Sequence, residues 1–138
     1  MVNYYGSDLN KFIGENCPHD FTAINIDCFC LRWATRSIRI IEAKHTNEPL
    51  GNQQIKALRF LAKVLNETNY QDWSIDIFIT RGNPPYDTLD VLNLFSEKTF
   101  RIKGQQSVID WLSFKSELKE VAEEIPTVQN GVYLKMSI

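Results

Sequence analysis

The run Ile38-Arg39-Ile40-Ile41-Glu42-Ala43-Lys44 is mostly apolar, Arg39 apart, until its last three residues, where it ends in Glu-x-Lys. Successive side chains of a strand point to opposite faces, so residues i and i+2 share one. Glu42 and Lys44 therefore project together at the end of a strand predicted over Ser37–Lys44. Asp27 lies on the preceding extended segment, with fourteen residues between it and Glu42. If the Asp27 segment pairs with this strand, a second carboxylate comes alongside the first. Two carboxylates and an ammonium on one sheet face suit a hard divalent cation and a phosphate. Such oxygen ligands favour Mg²⁺ or Mn²⁺ over zinc.

The remaining pattern alternates helices and strands. Ser7 or Asp8 caps a predicted helix that runs to about Asn16, with Leu9, Phe12 and Ile13 facing the core. Phe21 to Trp33 reads as one long or two short strands. His45 to Asn52 reads as a loop, and Gln53 to Thr68 as an amphipathic helix. Ile55, Leu58, Leu61, Ala62 and Leu65 form the apolar stripe of that helix. Trp73 to Thr80 alternates as a strand. Leu89 to Phe95 and Thr99 to Lys103 read as further strands, Gln105 to Glu124 as one helix, and Val132 to Met136 as a last strand. Val108, Trp111, Leu112, Leu118 and Val121 are the apolar positions of that final helix.

A chain of 138 residues is long enough for one domain with its own core, so residues 1–138 read as a single unit. No apolar run reaches the roughly 18 residues that span a bilayer. The N-terminal Met-Val-Asn-Tyr-Tyr-Gly lacks the basic and apolar regions of a signal peptide, which predicts a cytoplasmic protein. Cys17, Cys28 and Cys30 make an odd count, which argues against a disulfide framework. The net charge of −2 argues against nucleic-acid binding by bulk charge alone. A cation held by carboxylates would reverse the sign locally.

The order of these residues resembles the PD-(D/E)xK nuclease superfamily. The match consists of Asp27, then Glu42-Ala43-Lys44, then a helix entered through Gln53-Gln54-Ile55-Lys56-Ala57-Leu58, and it covers about residues 5–80. Ile26 stands where the "P" of the motif would be. The resemblance implies an α/β, restriction-endonuclease-like αβββαβ core. Its central mixed sheet is flanked by helices, with C-terminal helix and strand additions over 86–138. It also implies Mg²⁺-dependent hydrolysis of DNA phosphodiesters to 5′-phosphates, with Mn²⁺ able to substitute. Asp27 and Glu42 would hold the metal, with the Ala43 carbonyl and Glu15 as further ligands, and Asp8 as the rival to Glu15. Lys44 would orient or polarise the attacking water. Gln54, or Gln53 one register away, would contact a phosphate or fix the lysine. A small single-domain nuclease that grips both strands of a duplex calls for a homodimer.

Other charged residues are candidates for backbone contact: Lys56, Arg59 and Lys63 on the amphipathic helix, Arg36 in the hairpin turn, Arg81 after the next strand, and His45 beside Lys44. Each also fits an ordinary solvated position. The cysteines suit core packing better than a zinc site, because Cys28 and Cys30 lack the usual ligand spacing. Trp33, Trp73 and Trp111 read as core anchors. Two other readings fit the same residues: a non-catalytic nucleic-acid-binding or assembly subunit on this scaffold, and an unrelated α/β protein in which Glu-x-Lys is incidental.

Overall fold

Residues 38 to 41 carry apolar side chains on both faces of one strand, which suits an interior position with both faces covered. In the computed structural model, which describes residues 12–13, 15–18, 26–49, 51–68 and 70–127, that is where the strand lies. β1 (Cys28–Arg32) and β2 (Ser37–Lys44) form an antiparallel hairpin, with Phe29 opposite Ile40. Helix α1 (Asn52–Thr68) then crosses over to β3 (Ser74–Arg81), which pairs parallel with β2. Parallel strands need a crossover of this length. β4 (Thr88–Asn93) and β5 (Thr99–Lys103) add antiparallel neighbours. Helices α2 (Gln105–Leu112) and α3 (Leu118–Val121) follow, and β6 (Ala122–Ile125) closes the sheet antiparallel to β5. The six described strands form one mixed sheet in chain order.

Each face of the sheet has its own core. On the α1 face, Ile55, Leu58 and Ala62 pack onto Ile40, Ile77, Ile79, Leu92 and Leu94. Leu61 and Leu65 are partly buried beside them, so the predicted stripe is the packed one. On the α2 face, Val108 and Trp111 pack onto Ile41, Phe78, Leu89, Val91 and Ile102. Gly82 lets β3 turn tightly into β4, because a Cβ there would stand 3.0 Å from the Thr88 carbonyl oxygen.

Several expectations need correction. The single helix over Gln105–Glu124 is two helices and a strand. Arg39 Nη1 donates to the Trp111 carbonyl and Arg32 Nη1 to the Phe114 carbonyl, so two arginines from the sheet take up acceptors at the end of α2. Phe114 has a positive φ of 64° and lies under the Arg39 guanidinium, 4.1 Å from it. Pairing with β5 then draws residues 122–125 into the sheet despite their helix-compatible sequence. Trp33 is 76% exposed and meets Trp73 edge to face, so it is no core anchor, whereas Trp111 is. Cys28 is exposed at the start of β1, while Cys30 packs on the α2-face core. Phe12 is exposed instead of facing the core.

Phe12, Ile13, Glu15 and Asn16 have helical backbone, in line with the first predicted helix. The rest of that helix, the part of the first strand region over 21–25 and the predicted Val132–Met136 strand lie outside the described residues.

Candidate metal and phosphate site

The site lies where the parallel strands β2 and β3 end and α1 begins. Ligands of open α/β sheets favour such crevices, at the carboxyl ends of strands. Alternation along β2 puts Ile38, Ile40, Glu42 and Lys44 on the α1 face. The β1–β2 register pairs Cys28 with Ile41, and its continuation sets Asp27 opposite Glu42 on that same face. Asp27 Oδ2 accepts the Ala43 N–H at 2.9 Å, which fixes the first carboxylate beside the strand end.

Glu42 is only 4% exposed. Burial first, and then the nearby Asp27 carboxylate, push its pKa up to about 7, while the Gln54 amide and the Lys44 ammonium pull the other way. Lys44 Nζ stands 3.5 Å from Glu42 Oε2 and 3.5 Å from Glu48 Oε2, bracketed by two carboxylates. Among the described residues, Glu42 Oε1 is buried with no hydrogen-bond partner. A buried acceptor left in that state costs its full desolvation penalty and calls for an explanation.

The loop after β2 holds this arrangement in place. Arg81, the last residue of β3, sends Nη1 to the carbonyls of His45 (3.0 Å), Thr46 (3.2 Å) and Glu48. Asn83 Oδ1 accepts the Thr46 N–H at 3.1 Å and contacts His45 Nδ1 at 3.2 Å. Glu48 Oε1 accepts the His45 N–H at 2.9 Å. Burial raises the Glu48 carboxyl, but the His45 amide and the Lys44 ammonium outweigh it, and the net shift is downward. Glu48 thus belongs to the site. In the sequence its only signal was the i,i+4 spacing from Lys44.

The sequence-predicted residues fall into two groups. Asp27, Glu42, Ala43, Lys44 and Gln54 come together. Gln54 sits half-buried in the first turn of α1, and its side-chain amide bonds the Glu42 carboxylate, not the lysine or phosphate that the resemblance implied. Ala43 contributes its N–H. His45 is exposed at the rim. Arg81 is 91% withdrawn from solvent and holds the loop. Lys56 and Lys63 are exposed on α1, whereas Arg59 pairs with Glu97 at 3.2 Å. Arg36 is at the opposite end of β2, where its Nη1 binds the Gln71 carbonyl at 2.9 Å. Glu15 is exposed, and no group of three or more His, Cys, Asp or Glu side chains forms a metal cage among the described residues.

The donors fit a magnesium-type cation. Mg²⁺ is bound through one or two carboxylates and keeps waters and substrate phosphates for its remaining positions. Asp27 and Glu42 supply such a pair, and the Glu42 Oε1 lone pairs have no hydrogen-bond partner among the described residues. Comparison with protein-family models, curated proteins and solved structures finds no match to this chain. Among the described residues, no helix is long and apolar enough to cross a membrane.

Proposed function

We propose that this chain is a metal-dependent deoxyribonuclease of the PD-(D/E)xK kind, cutting DNA phosphodiesters endonucleolytically to leave 5′-phosphates. The observation that carries the proposal is the buried Glu42 carboxylate. It has one oxygen unpaired, a second carboxylate on its register partner, and an amide and an ammonium on the same face. Asp27 and Glu42 would hold Mg²⁺ or Mn²⁺, which when bound neutralises charge on the phosphate and lowers the pKa of a water there.

The chain's own groups supply the rest. Lys44 donates N–H bonds to the attacking water or to the phosphate oxygens as negative charge builds. Gln54 fixes the Glu42 carboxylate, and Glu48 steadies the lysine between turnovers. The protein works in the cytoplasm, and two copies address the two strands of a duplex.

The bracketing of Lys44 by two carboxylates favours one other reading, a nucleic-acid-binding or assembly subunit whose lysine is held out of chemistry. A cleavage assay separates the two. Labelled single strand, duplex, flap, fork and four-way junction are incubated with Mg²⁺, Mn²⁺ or EDTA, using the parent protein and Glu42→Ala. Metal-dependent cutting that disappears in the variant supports the nuclease. No cutting of any substrate by the parent overturns it in favour of the binding subunit.

A further inference from the structure

On the other face of the sheet, away from Glu42, an open cleft of about 410 Å³ is lined by Arg39, Asp76, Phe78, Asn93, Phe100 and Trp111. That volume is within the range of small-molecule sites, which combine apolar walls with a few convergent polar groups. Here the apolar part is aromatic. Phe78 and Trp111 are buried edge to face, with ring centroids 5.1 Å apart, and Phe100 is half-buried with ring surface to spare.

The polar groups of the cleft are few and fixed. Asn93 Oδ1 accepts the N–H groups of Phe95 (2.7 Å) and Ser96 (3.1 Å), and its amide nitrogen donates to the Asp76 carboxylate, with its second N–H left over. Asp76 is the register partner of Arg39, yet no ion pair joins them among the described residues. The Arg39 guanidinium is instead drawn to the Trp111 carbonyl and stacked over the Trp111 and Phe114 rings. Burial raises the Asp76 carboxyl, against the Asn93 amide and the Arg39 charge, and burial lowers the Arg39 pKa. A half-buried carboxylate without an ion pair, held by the Asn93 amide and set among aromatic rings, keeps acceptor lone pairs to offer a planar ligand.

We infer that this cleft is a guanine nucleotide site, with the base against Phe100, its two adjacent N–H donors on the Asp76 carboxylate, and its phosphate toward Lys98 and Lys119. Of the four common bases, guanine alone presents two neighbouring N–H donors on one edge. Its carbonyl oxygen takes the remaining Asn93 N–H. Lys98 and Lys119 are exposed at the mouth and exceed the single carboxylate there, Glu117. This inference does not rest on the nuclease reading, because the two sites are on opposite faces of the sheet.

The test is calorimetric titration of GMP, IMP, AMP and inorganic phosphate into the full chain in EDTA. GMP should bind. IMP, which lacks one of the two donors, should bind roughly tenfold more weakly. AMP and phosphate should bind more weakly still. Asp76→Asn and Phe100→Ala should each weaken GMP by roughly tenfold or more, and Glu42→Gln should leave it unchanged. Circular dichroism checks that the variants fold, and Phe100→Ala carries the same expectation if Asp76→Asn does not. Failure of GMP to bind at millimolar concentration, equal affinity for GMP and AMP, or unchanged affinity in the folded cleft variants would overturn the inference.

Discussion

Two charged clusters share the α1 face of the sheet, and they are built differently. Asp90 and Arg101 face each other across β4 and β5 in a bidentate pair, with Nε 2.8 Å from Oδ1 and Nη2 3.0 Å from Oδ2. At the end of β2, Glu42 is more deeply buried than Asp90. It meets Lys44 at only 3.5 Å, keeps one oxygen unpaired and has Asp27 as a neighbour of like charge. A chain that can build the first pair does not leave the second unfinished for want of geometry. Asp90 and Arg101 satisfy each other across the strands, whereas Glu42 keeps one buried oxygen without a hydrogen-bond partner among the described residues, and the proposed cation site rests on that difference.

The strongest way to break this contrast is by activity. Glu42→Ala should reduce metal-dependent cleavage by on the order of 10³ or more, with folding retained by circular dichroism. Asp90→Ala should leave the cleavage rate of the folded protein unchanged. Equal losses in both variants would remove the distinction.

The next effect concerns pH. The Glu42 carboxyl ordinarily titrates near 4.5 and in the folded chain near 7, so between those values the native state binds more protons than the unfolded one. The Glu42 contribution to stability in EDTA is therefore fully present below about pH 4.5 and is lost as the pH rises through about 7. The loss is about 3 kcal/mol at most, at about 1.4 kcal/mol per pH unit. Glu42→Gln should flatten that fall, and thermal melts from pH 4.5 to 8 would measure it. A melting temperature with the same pH profile in parent and variant would refute the buried, unpaired carboxylate. Asp90→Asn should show the opposite pattern, destabilising by about 1 kcal/mol at neutral pH with the fall toward pH 7 left intact. The smallest effect belongs to the exposed Lys103–Glu123 pair at 3.1 Å, where Lys103→Ala should shift stability by no more than a few tenths of a kcal/mol. A larger change in a denaturant melt would show that surface pairs, too, hold this sheet together.

Much of this site was legible in the sequence because it rests on local periodicity. Strand alternation alone puts Glu42 with Lys44, and hairpin register brings Asp27 opposite. Gln54 was pointed to by the nuclease resemblance, with Gln53 as its alternative, and not by periodicity. The missing parts depend on contacts distant in sequence. Glu48 reaches Lys44 only because Arg81, 33 residues further on, grips the carbonyls of the loop. Arg39 reads as a polar strand residue, yet it is 7% exposed because Trp111 and Phe114 cover it. The break between α2 and α3 escaped for the same reason, since it depends on arginines 82 and 72 residues away in the chain.

The most direct measurement is calorimetric titration of Mn²⁺ into the parent protein, Glu42→Gln and Asp90→Asn at pH 7.5. A saturable site in the parent and in Asp90→Asn, absent from Glu42→Gln, is the predicted result. No binding by the parent, or equal binding by all three proteins, would contradict the assignment of Asp27 and Glu42 as the cation site.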